Sequence, residues 1–567
     1  MIRAIILCAG LGTRLTPITL TKPKPLLQIR GKSILENAIT HLHSANIDDI
    51  IVVCGYKSEL FDELSTRLKF KKVIFPDFAT KNSVGSLKFV SDFIIKGTII
   101  INGDLFIDSN FTQYLHFGLS QFLGQEISQG SFWGYITDEN NKLLDIDKNA
   151  NSGFGDGIAF FDNESDLKII KNSLSKCDDS AYWEECVCGI LDKIDFYAFK
   201  SPKPFYTEID SLQDALSANL LSPKEIAMQC ATDGKAERLK GITNINYKIN
   251  FNGAEKVLRI PGANTDKCID RNAEKRILEL IAPLNITPRN DFYENGIKMS
   301  DFLSGFRNAE FSDINTSFLR AVVRKMKCLH NIKNGTNIPK ITMIGEIQKY
   351  ENLCKIELTT KWEHKFVMDI ARELDSGEFV LCHRDLQLPN IMVCESSENN
   401  ASLRGSNATE AIYESKMDCH ESANADSRND GTESTRDLRG SILEIKSGFC
   451  ETSNEIGHKV HRGSELKQST ILAQKTNTHY EIKFVDFEYA GFSPVAWELG
   501  NFSAELNLSE SQVQTLAQIY GNITPRDIYK GQMLSNYIWA LWSWIYNRID
   551  LGRDYLARFD KNLKALA

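Results

Sequence analysis

Three short apolar runs rich in β-branched residues, Ala4–Cys8, Ile50–Cys54 and Thr98–Ile101, alternate with amphipathic stretches over residues 1–110. Runs of this length predict strands buried on both faces, and the intervening Ile34–Ser44 and Ser58–Leu68 predict helices that cover them. The expected fold class is α/β, a doubly wound domain built on a parallel sheet. The pattern continues to about Leu220 through a helical segment after Ile209, and Ser222-Pro223 predicts a boundary. From Leu239 the periodicity changes. Short strands at Asn246–Phe251 and Glu255–Arg259 precede a helix over Arg271–Ile281, and another strand pair follows near Asp291–Lys298. Beyond Phe311 the reading is mainly helical, so a small sheet lobe followed by a larger helical lobe is expected.

Length changes this picture only by requiring more than one core: 567 residues predict two or three domains. A hydrophobic content of 42% and charged content of 25% are those of a globular protein, and a net charge of −8 argues against a broad nucleic-acid surface. The apolar N-terminus is short and runs into a glycine-rich loop, which reads as a strand rather than a signal peptide. No stretch reaches the roughly eighteen apolar residues of a membrane span. Thirteen cysteines show neither a C-x-x-C pair nor metal-ligand spacing, and all are expected to be reduced thiols of a cytoplasmic protein. Residues 395–480 hold no proline or tryptophan and three aromatics, too little to offset ordering entropy, so a disordered insertion is expected there.

Candidate chemistry begins at LCAGLGTRLTPITLTKPKPLLQIRGKSILE, residues 7–36. Gly10 and Gly12 allow the backbone close to a polyphosphate, while Arg14 and Lys24 add fixed positive charge where pyrophosphate must leave. A dinucleotide G-x-G-x-x-G reading fails, because no glycine follows at the required spacing. The string resembles that of the nucleotidyltransferases that make nucleoside-diphosphate sugars and CDP-alcohols. By that resemblance Leu7, Ala9, Gly10, Gly12 and Thr13 contact the nucleotide. Asp104, in Asn102-Gly103-Asp104, and Asp210, in Glu208-Ile209-Asp210-Ser211, hold Mg²⁺. Asn82-Ser83-Val84-Gly85-Ser86-Leu87 looks like the nucleotide segment of bacterial phosphocholine cytidylyltransferases, which assigns Asn82 and Ser86 to the nucleotide. Ala181-Tyr182-Trp183-Glu184-Glu185 looks like their choline-binding stretch. A quaternary ammonium has no N–H to donate, so aromatic faces and carboxylates must hold it; Tyr182, Trp183, Glu184 and Glu185 are the candidates.

A second site is written as HRDLQLPN over residues 383–390 and FVDFEYAG around Asp486. Asp385 can take a hydroxyl proton, and Asn390 and Asp486 supply two oxygen ligands for the metal on nucleotide phosphates, the parts required for phosphoryl transfer. Together with Leu239–Tyr247 and Val257–Gly262, these residues resemble choline and ethanolamine kinases, relatives of the aminoglycoside-phosphotransferase-like kinases. The resemblance assigns Asn244, Arg259 and Glu274 to ATP, with Glu274 as the partner of Arg259. It leaves His383 to buttress the loop. Trp497 to Glu505 follows the spacing of the choline-kinase motif, so Glu498 and Glu505 fall on its acidic positions, with Glu498 in place of the usual aspartate. Trp539 and Trp542 lie on one face of a C-terminal aromatic helix. With the acidic residues they are expected to cage trimethylammonium.

The two resemblances imply consecutive reactions. A kinase domain over 235–567, interrupted by 395–480, would phosphorylate choline with ATP. A cytidylyltransferase domain over 1–222 would join phosphocholine to CTP, giving CDP-choline and pyrophosphate, with Mg²⁺ as cofactor. The product would activate choline for decorating a surface glycan. The same folds acting on ethanolamine, aminoethylphosphonate or a sugar phosphate form one alternative, and a nucleotide-binding scaffold with one inactive domain forms another.

Overall fold

The computed structural model describes residues 2–127, 132–241, 243–262, 267–333, 337–396 and 479–567. It falls into two compact units, Met1–Arg271 with Arg289–Phe302, and Asn272–Pro288 with Leu303–Ala567.

The first unit is organised by a nine-stranded mixed sheet. Its strands β1 (Arg3–Cys8), β2 (Asp49–Cys54), β3 (Lys71–Ile74, at the edge) and β4 (Thr98–Asn102) are parallel. The sheet runs on through antiparallel neighbours, which the alternation in the first 110 residues did not announce. They come from β5 (Ser120–Ile127), β6 (Phe132–Thr137), β7 (Leu143–Ala150) and β8 (Gly153–Phe161), with β9 (Phe196–Lys200) parallel to β5. Alternation along the central strands divides the core in two. Ala4, Ile6, Val52, Ile99 and Ile101 face one layer, which α1 (Ile34–Ser44) covers with Leu35, Ala38, Ile39 and Leu42. Ile5, Ile51, Val53 and Ile100 face the other, covered from α3 (Ser83–Phe89), α4 (Glu164–Lys176) and α5 (Trp183–Cys188). The stretch read as one helix over Ser58–Leu68 begins as a 3₁₀ turn and becomes α2 only at Asp62–Leu68.

Past α6 (Leu212–Ser217), Ser222 and Pro223 do not break the chain but open a helix, α7 (Pro223–Cys230). Ser222 caps the amide of Glu225 and proline occupies the first turn, where its missing N–H has no partner to lose. A five-stranded antiparallel sheet follows, ordered β10 (Ala236–Leu239), β11 (Asn244–Phe251), β12 (Ala254–Pro261), β14 (Ile297–Asp301) and β13 (Asn290–Glu294). By packing it belongs to the first unit, apart from the helical body that follows it in sequence.

The second unit contains most of α8 (Arg271–Ile281), then α9 (Thr316–His330), α10 (Met343–Cys354) and α11 (Lys361–Asp375). The ribbons of β15 (Phe379–Cys382) with β18 (Gly491–Pro494), and of β16 (Ile391–Ser396) with β17 (His479–Phe484), carry the loops between them. Helices α12 (Val495–Glu505), α13 (Glu510–Tyr520), α14 (Pro525–Ile545) and α15 (Ile549–Leu566) complete it. The insertion expected over 395–480 lies outside the described residues except at its ends, where residues 395–396 and 479–480 are paired as strands. Among the described residues no helix is long and apolar enough to cross a membrane.

One cysteine expectation is overturned. Cys177, at the end of α4, and Cys186, on α5, form a disulfide with Cα atoms 6.1 Å apart. A nine-residue spacing carries no motif, and only the packing of the two helices brings the thiols together.

His330, on α9, is buried with Nδ1 2.8 Å from the Tyr520 hydroxyl, and burial lowers its pKa to about 3. The native imidazole therefore stays neutral while the unfolded chain takes up a proton below about pH 6.5, and stability falls with pH by up to about 1.4 kcal/mol per unit from this group. Thermal midpoints measured between pH 7 and pH 5 should drop less for His330→Gln, which keeps a polar partner for Tyr520 and cannot titrate. Parallel curves would remove His330 from the acid response.

Candidate active sites

At the C-terminal edge of the first sheet, backbone constraints bring three carboxylates together. Gly103 donates to the carbonyl of Leu7, and a Cβ at Gly103 would lie 2.5 Å from that oxygen, so only glycine lets β4 end so close to β1. Asp104 follows it. The short strand Leu105–Ile107 pairs with Tyr206–Glu208, which brings Glu208 and Asp210 to the same place. Carboxylate oxygens of Asp104, Glu208 and Asp210 lie within 4.8 Å of one another. Glu208 stands in the quoted string, but strand pairing, which spacing does not reveal, makes it a third member.

The glycine-rich loop closes over this group. Gly12 adopts φ +62, and a Cβ there would meet Cβ of Lys24 at 2.9 Å, so the loop and the Lys24 turn pack directly. Lys24 Nζ donates to Asp104 at 3.1 Å and to Asp210 at 3.0 Å, and Arg14 donates to Asp210 at 2.8 Å. Burial pulls the Lys24 pKa down, but Asp104 and Asp210 outweigh it and leave it raised. Both cations thus lie on the carboxylates rather than apart from them. Gly10 and Thr13 are exposed and Leu7 is half-buried, while Ala9 is buried and its carbonyl accepts the Tyr56 amide.

The other sequence candidates of this unit divide. Asn82 caps α3 by accepting the Ser83 amide, and Ser86 is turned inward, its hydroxyl donating to the Ser83 carbonyl. Trp183, expected against a substrate, is instead 2% exposed in the core beside Phe122 and Phe161, with its Nε1–H donated to Asn102. Glu185 is also spent locally. It accepts the Tyr182 amide and pairs with Lys148, which lowers its carboxyl pKa. Glu184 accepts from Asn102, two residues before Asp104. Tyr182 is exposed and packs edge-on against Trp133 at 5.2 Å. Trp133 lies on β6 with no motif around it in sequence, so only the sheet reveals this aromatic pair.

In the second unit the loop between β15 and β16 carries Asp385. Asn390 Nδ2 donates to the Asp385 backbone oxygen at 2.8 Å and to its carboxylate at 2.9 Å, which leaves Asn390 Oδ1 for a ligand. Gln387 Nε2 reaches both carboxylate oxygens at 3.2 and 3.3 Å. His383 is fully buried, with Nε2 2.9 Å from the Val485 carbonyl and Nδ1 accepting the Asp385 amide, so it ties the two motif loops together. Arg384 and Asp486 both stand at φ +68, a conformation unusual for either residue and held here by the surrounding loops.

Glu498 corrects a sequence expectation. It is wholly buried on α12 and accepts the amides of His383 at 2.9 Å and Arg384 at 2.8 Å. Burial pushes its carboxyl up to about 7, against the pull of those two donors. It holds the Asp385 loop rather than facing a substrate. Glu505 is half-buried and accepts the Tyr555 hydroxyl from α15.

Burial lifts the Asp385 carboxyl well above the usual range, and the charges of Glu505, Asp486 and Glu488 lift it further. Beside it stand four rings. Trp539 and Trp542 meet at 85°, with centroids 6.0 Å apart; Tyr489 lies edge-on to Trp539 and accepts the Trp542 Nε1–H at 3.0 Å; Tyr546 lies 4.8 Å from Trp542. Trp539 donates its own N–H to Asn501. Each tryptophan is 7% exposed, so most of both rings is taken up by these neighbours. Burial raises the Tyr489 phenol pKa, and the charges of Glu488 and then Asp385 raise it further, which puts Tyr489 in the neighbourhood of Asp385. Of the ATP candidates, Asn244 and Arg259 are buried in the five-stranded sheet, with Arg259 donating to the Gly296 carbonyl, and Glu274 is buried on α8.

Comparison with known proteins finds both halves. The family described as nucleotidyl transferase matches residues 3–139, and that described as choline/ethanolamine kinase matches residues 237–541. The choline-phosphate cytidylyltransferase of Streptococcus pneumoniae is 29% identical over 218 residues, 37% of this chain and 94% of that protein. The 2-aminoethylphosphonate cytidylyltransferase of Lancefieldella rimae is 26% identical over 220 residues, covering 37% and 89%. Among solved structures, the CTP:phosphocholine cytidylyltransferase of Streptococcus pneumoniae superposes with a TM-score of 0.36 at 28% identity, covering 38% of this chain and 97% of the other. Choline kinase LicA of the same organism superposes with a TM-score of 0.40 at 17% identity, covering 58% and 93%.

Removing the Glu498 carboxylate would leave two buried amides without acceptors. Glu498→Ala is expected to lower the stability of the second unit by about 2–5 kcal/mol and to abolish ATP-dependent phosphorylation, while nucleotidyl transfer by the first unit persists. Urea unfolding and paired assays check this, and retained phosphorylation would remove Glu498 from loop support.

Proposed function

We propose, for a chain that belongs to the choline/ethanolamine kinase family and carries a nucleotidyl transferase segment ahead of it, that the substrate common to both halves is choline. The observation that carries this reading is the cluster of rings formed by Tyr489, Trp539, Trp542 and Tyr546 near Asp385, with Glu505 close by. Rings and carboxylates together suit a cation that has no proton to donate.

In the kinase step the choline hydroxyl attacks the γ-phosphorus of ATP, its proton passes to Asp385, and the bond to the β-phosphate oxygen breaks to release ADP. Hydrogen bonds from Asn390 and Gln387 fix the direction in which Asp385 presents its lone pair. Asn390 Oδ1 and Asp486 suit Mg²⁺, which would offset phosphate charge when bound. Asn244, Arg259 and Glu274 are assigned to ATP on the family match. In the transferase step a phosphocholine oxygen attacks the α-phosphorus of CTP, and pyrophosphate leaves with the bonding electrons. Lys24 and Arg14 meet the charge that develops on it. Asp104 Oδ1 is buried without a hydrogen-bond partner, an acceptor suited to a cation, and Asp210 and Glu208 lie within reach of the same ion. Tyr182, Trp133 and Glu184 are assigned to the phosphocholine head.

A primary ammonium is the second reading. It is favoured by the relative named for 2-aminoethylphosphonate, at 26% identity.

Purified protein given ATP, CTP and Mg²⁺ with choline should form CDP-choline faster than the corresponding ethanolamine product. Asp385→Asn should abolish phosphocholine formation yet still convert added phosphocholine, and Asp104→Ala should show the reverse. Faster turnover of ethanolamine or of aminoethylphosphonate would select the second reading. Loss of neither step in its own variant would overturn both.

A further inference from the structure

The linker helix and the five-stranded sheet do not simply follow the transferase fold; they share a core with it. Tyr247, Ile249 and Phe251 of β11, Leu258 and Ile260 of β12, and Ile297 and Met299 of β14 bury one face of the sheet. They belong to the same cluster as Leu15, Ile18, Leu27 and Ile29, the apolar side chains of the loop that carries Arg14 and Lys24. Arg259 alternates with Leu258 and Ile260 along β12 and so belongs to the opposite face. Helix α7 adds Ile226, Ala227 and Cys230 to that cluster. Just beyond it, Thr232 donates to the Asn250 carbonyl and accepts the Asn252 amide, which fixes the helix to the β11–β12 turn.

One contact joins this assembly directly to the Lys24 turn. Gln229, 9% exposed on α7, accepts the amide of Gln28 at 2.8 Å and donates to its carbonyl at 2.8 Å. A side-chain amide here pairs with both backbone groups of one residue, as a neighbouring strand would. The Lys24–Leu26 turn ends immediately before this point, its last bond running from the Leu27 amide to the Lys24 carbonyl. The turn is therefore fixed at one end by Gln229 and at the other by the packing of Gly12 under the Lys24 Cβ.

We propose that α7 and the five-stranded sheet form part of the nucleotidyl-transfer machinery, and that Gln229 is the positioning residue through which they hold Lys24. This rests on the assignment of Lys24 to the departing pyrophosphate. Because that charge grows only as the bond breaks, a displaced Lys24 lowers kcat and leaves nucleotide affinity nearly intact.

The test uses full-length protein, with Gln229→Met, similar in length and unable to make either bond, beside Gln229→Glu, which keeps an acceptor for the Gln28 amide. Pyrophosphate release from CTP with phosphocholine or 2-aminoethylphosphonate, whichever turns over, is measured alongside ATP-dependent phosphorylation of choline. Gln229→Met should lower the transfer kcat about tenfold with KM for CTP changed less than about twofold and phosphorylation unchanged; Gln229→Glu should recover part of the loss. An unchanged transfer kcat, or a parallel fall in both activities and thermal midpoint, overturns the proposal. Lys24→Met separates the two levels: its full activity would refute the Lys24 assignment itself, whereas an inactive Lys24→Met beside an unaffected Gln229→Met would refute only the role of Gln229.

Discussion

Carboxylates crowded into confined space repel one another and need a counter-charge, and each site is arranged around that requirement. Asp104, Glu208 and Asp210 converge within 4.8 Å, and the ammonium of Lys24 reaches two of them. The Asp385 carboxyl is lifted by burial and by three further carboxylates. A base that binds its proton more tightly is a better acceptor for a hydroxyl proton, provided that a cation keeps it ionised until attack. The same negative charge that raises the pKa would also favour a metal ion or an ammonium group. One electrostatic condition thus serves binding and chemistry together.

Holding such charges in place falls to residues that make no contact with the reacting atoms. Glu498 takes two backbone amides, and His383 joins the Asp385 loop to the strand before Asp486. These contacts retain Arg384 and Asp486 in a backbone region that neither would choose alone. Buried acceptors with full partners specify one loop geometry, because any shift would strand a donor away from water.

Local periodicity made the parallel half of the first sheet legible, since Ala4–Cys8 and Ile50–Cys54 are apolar at every position and so must be covered on both faces. The antiparallel extension was not legible, because β7 exposes most of its side chains and carries little apolar signal. The same limit applied to the sites. Asp104, Asp385 and Asn390 stand in strings whose spacing sets their chemistry, but Trp133 reaches Tyr182 only across the fold. Motif position also misassigned residues whose chemical type suits a site and whose burial does not. Trp183 has the right ring and Glu498 the right carboxylate, yet one is core and the other anchors a loop. Burial is set by long-range packing, which no short window of sequence contains.

That packing also bears on why two activities share a chain. The apolar face of the five-stranded sheet must be covered, and here α7 packs on it and also on the loop bearing Arg14 and Lys24, all within one apolar cluster. Joining the two segments by a long flexible linker would supply a high local concentration of intermediate without this contact. A short connection through α7, capped at Ser222 and tied to the sheet at Thr232, does something different. It makes the order of the cationic loop depend on the folding of the five-stranded sheet. Ordering the loop costs conformational entropy whenever it must be done at binding, and a partner already folded against it removes much of that cost in advance. On this argument the connection matters for the geometry of the first reaction centre.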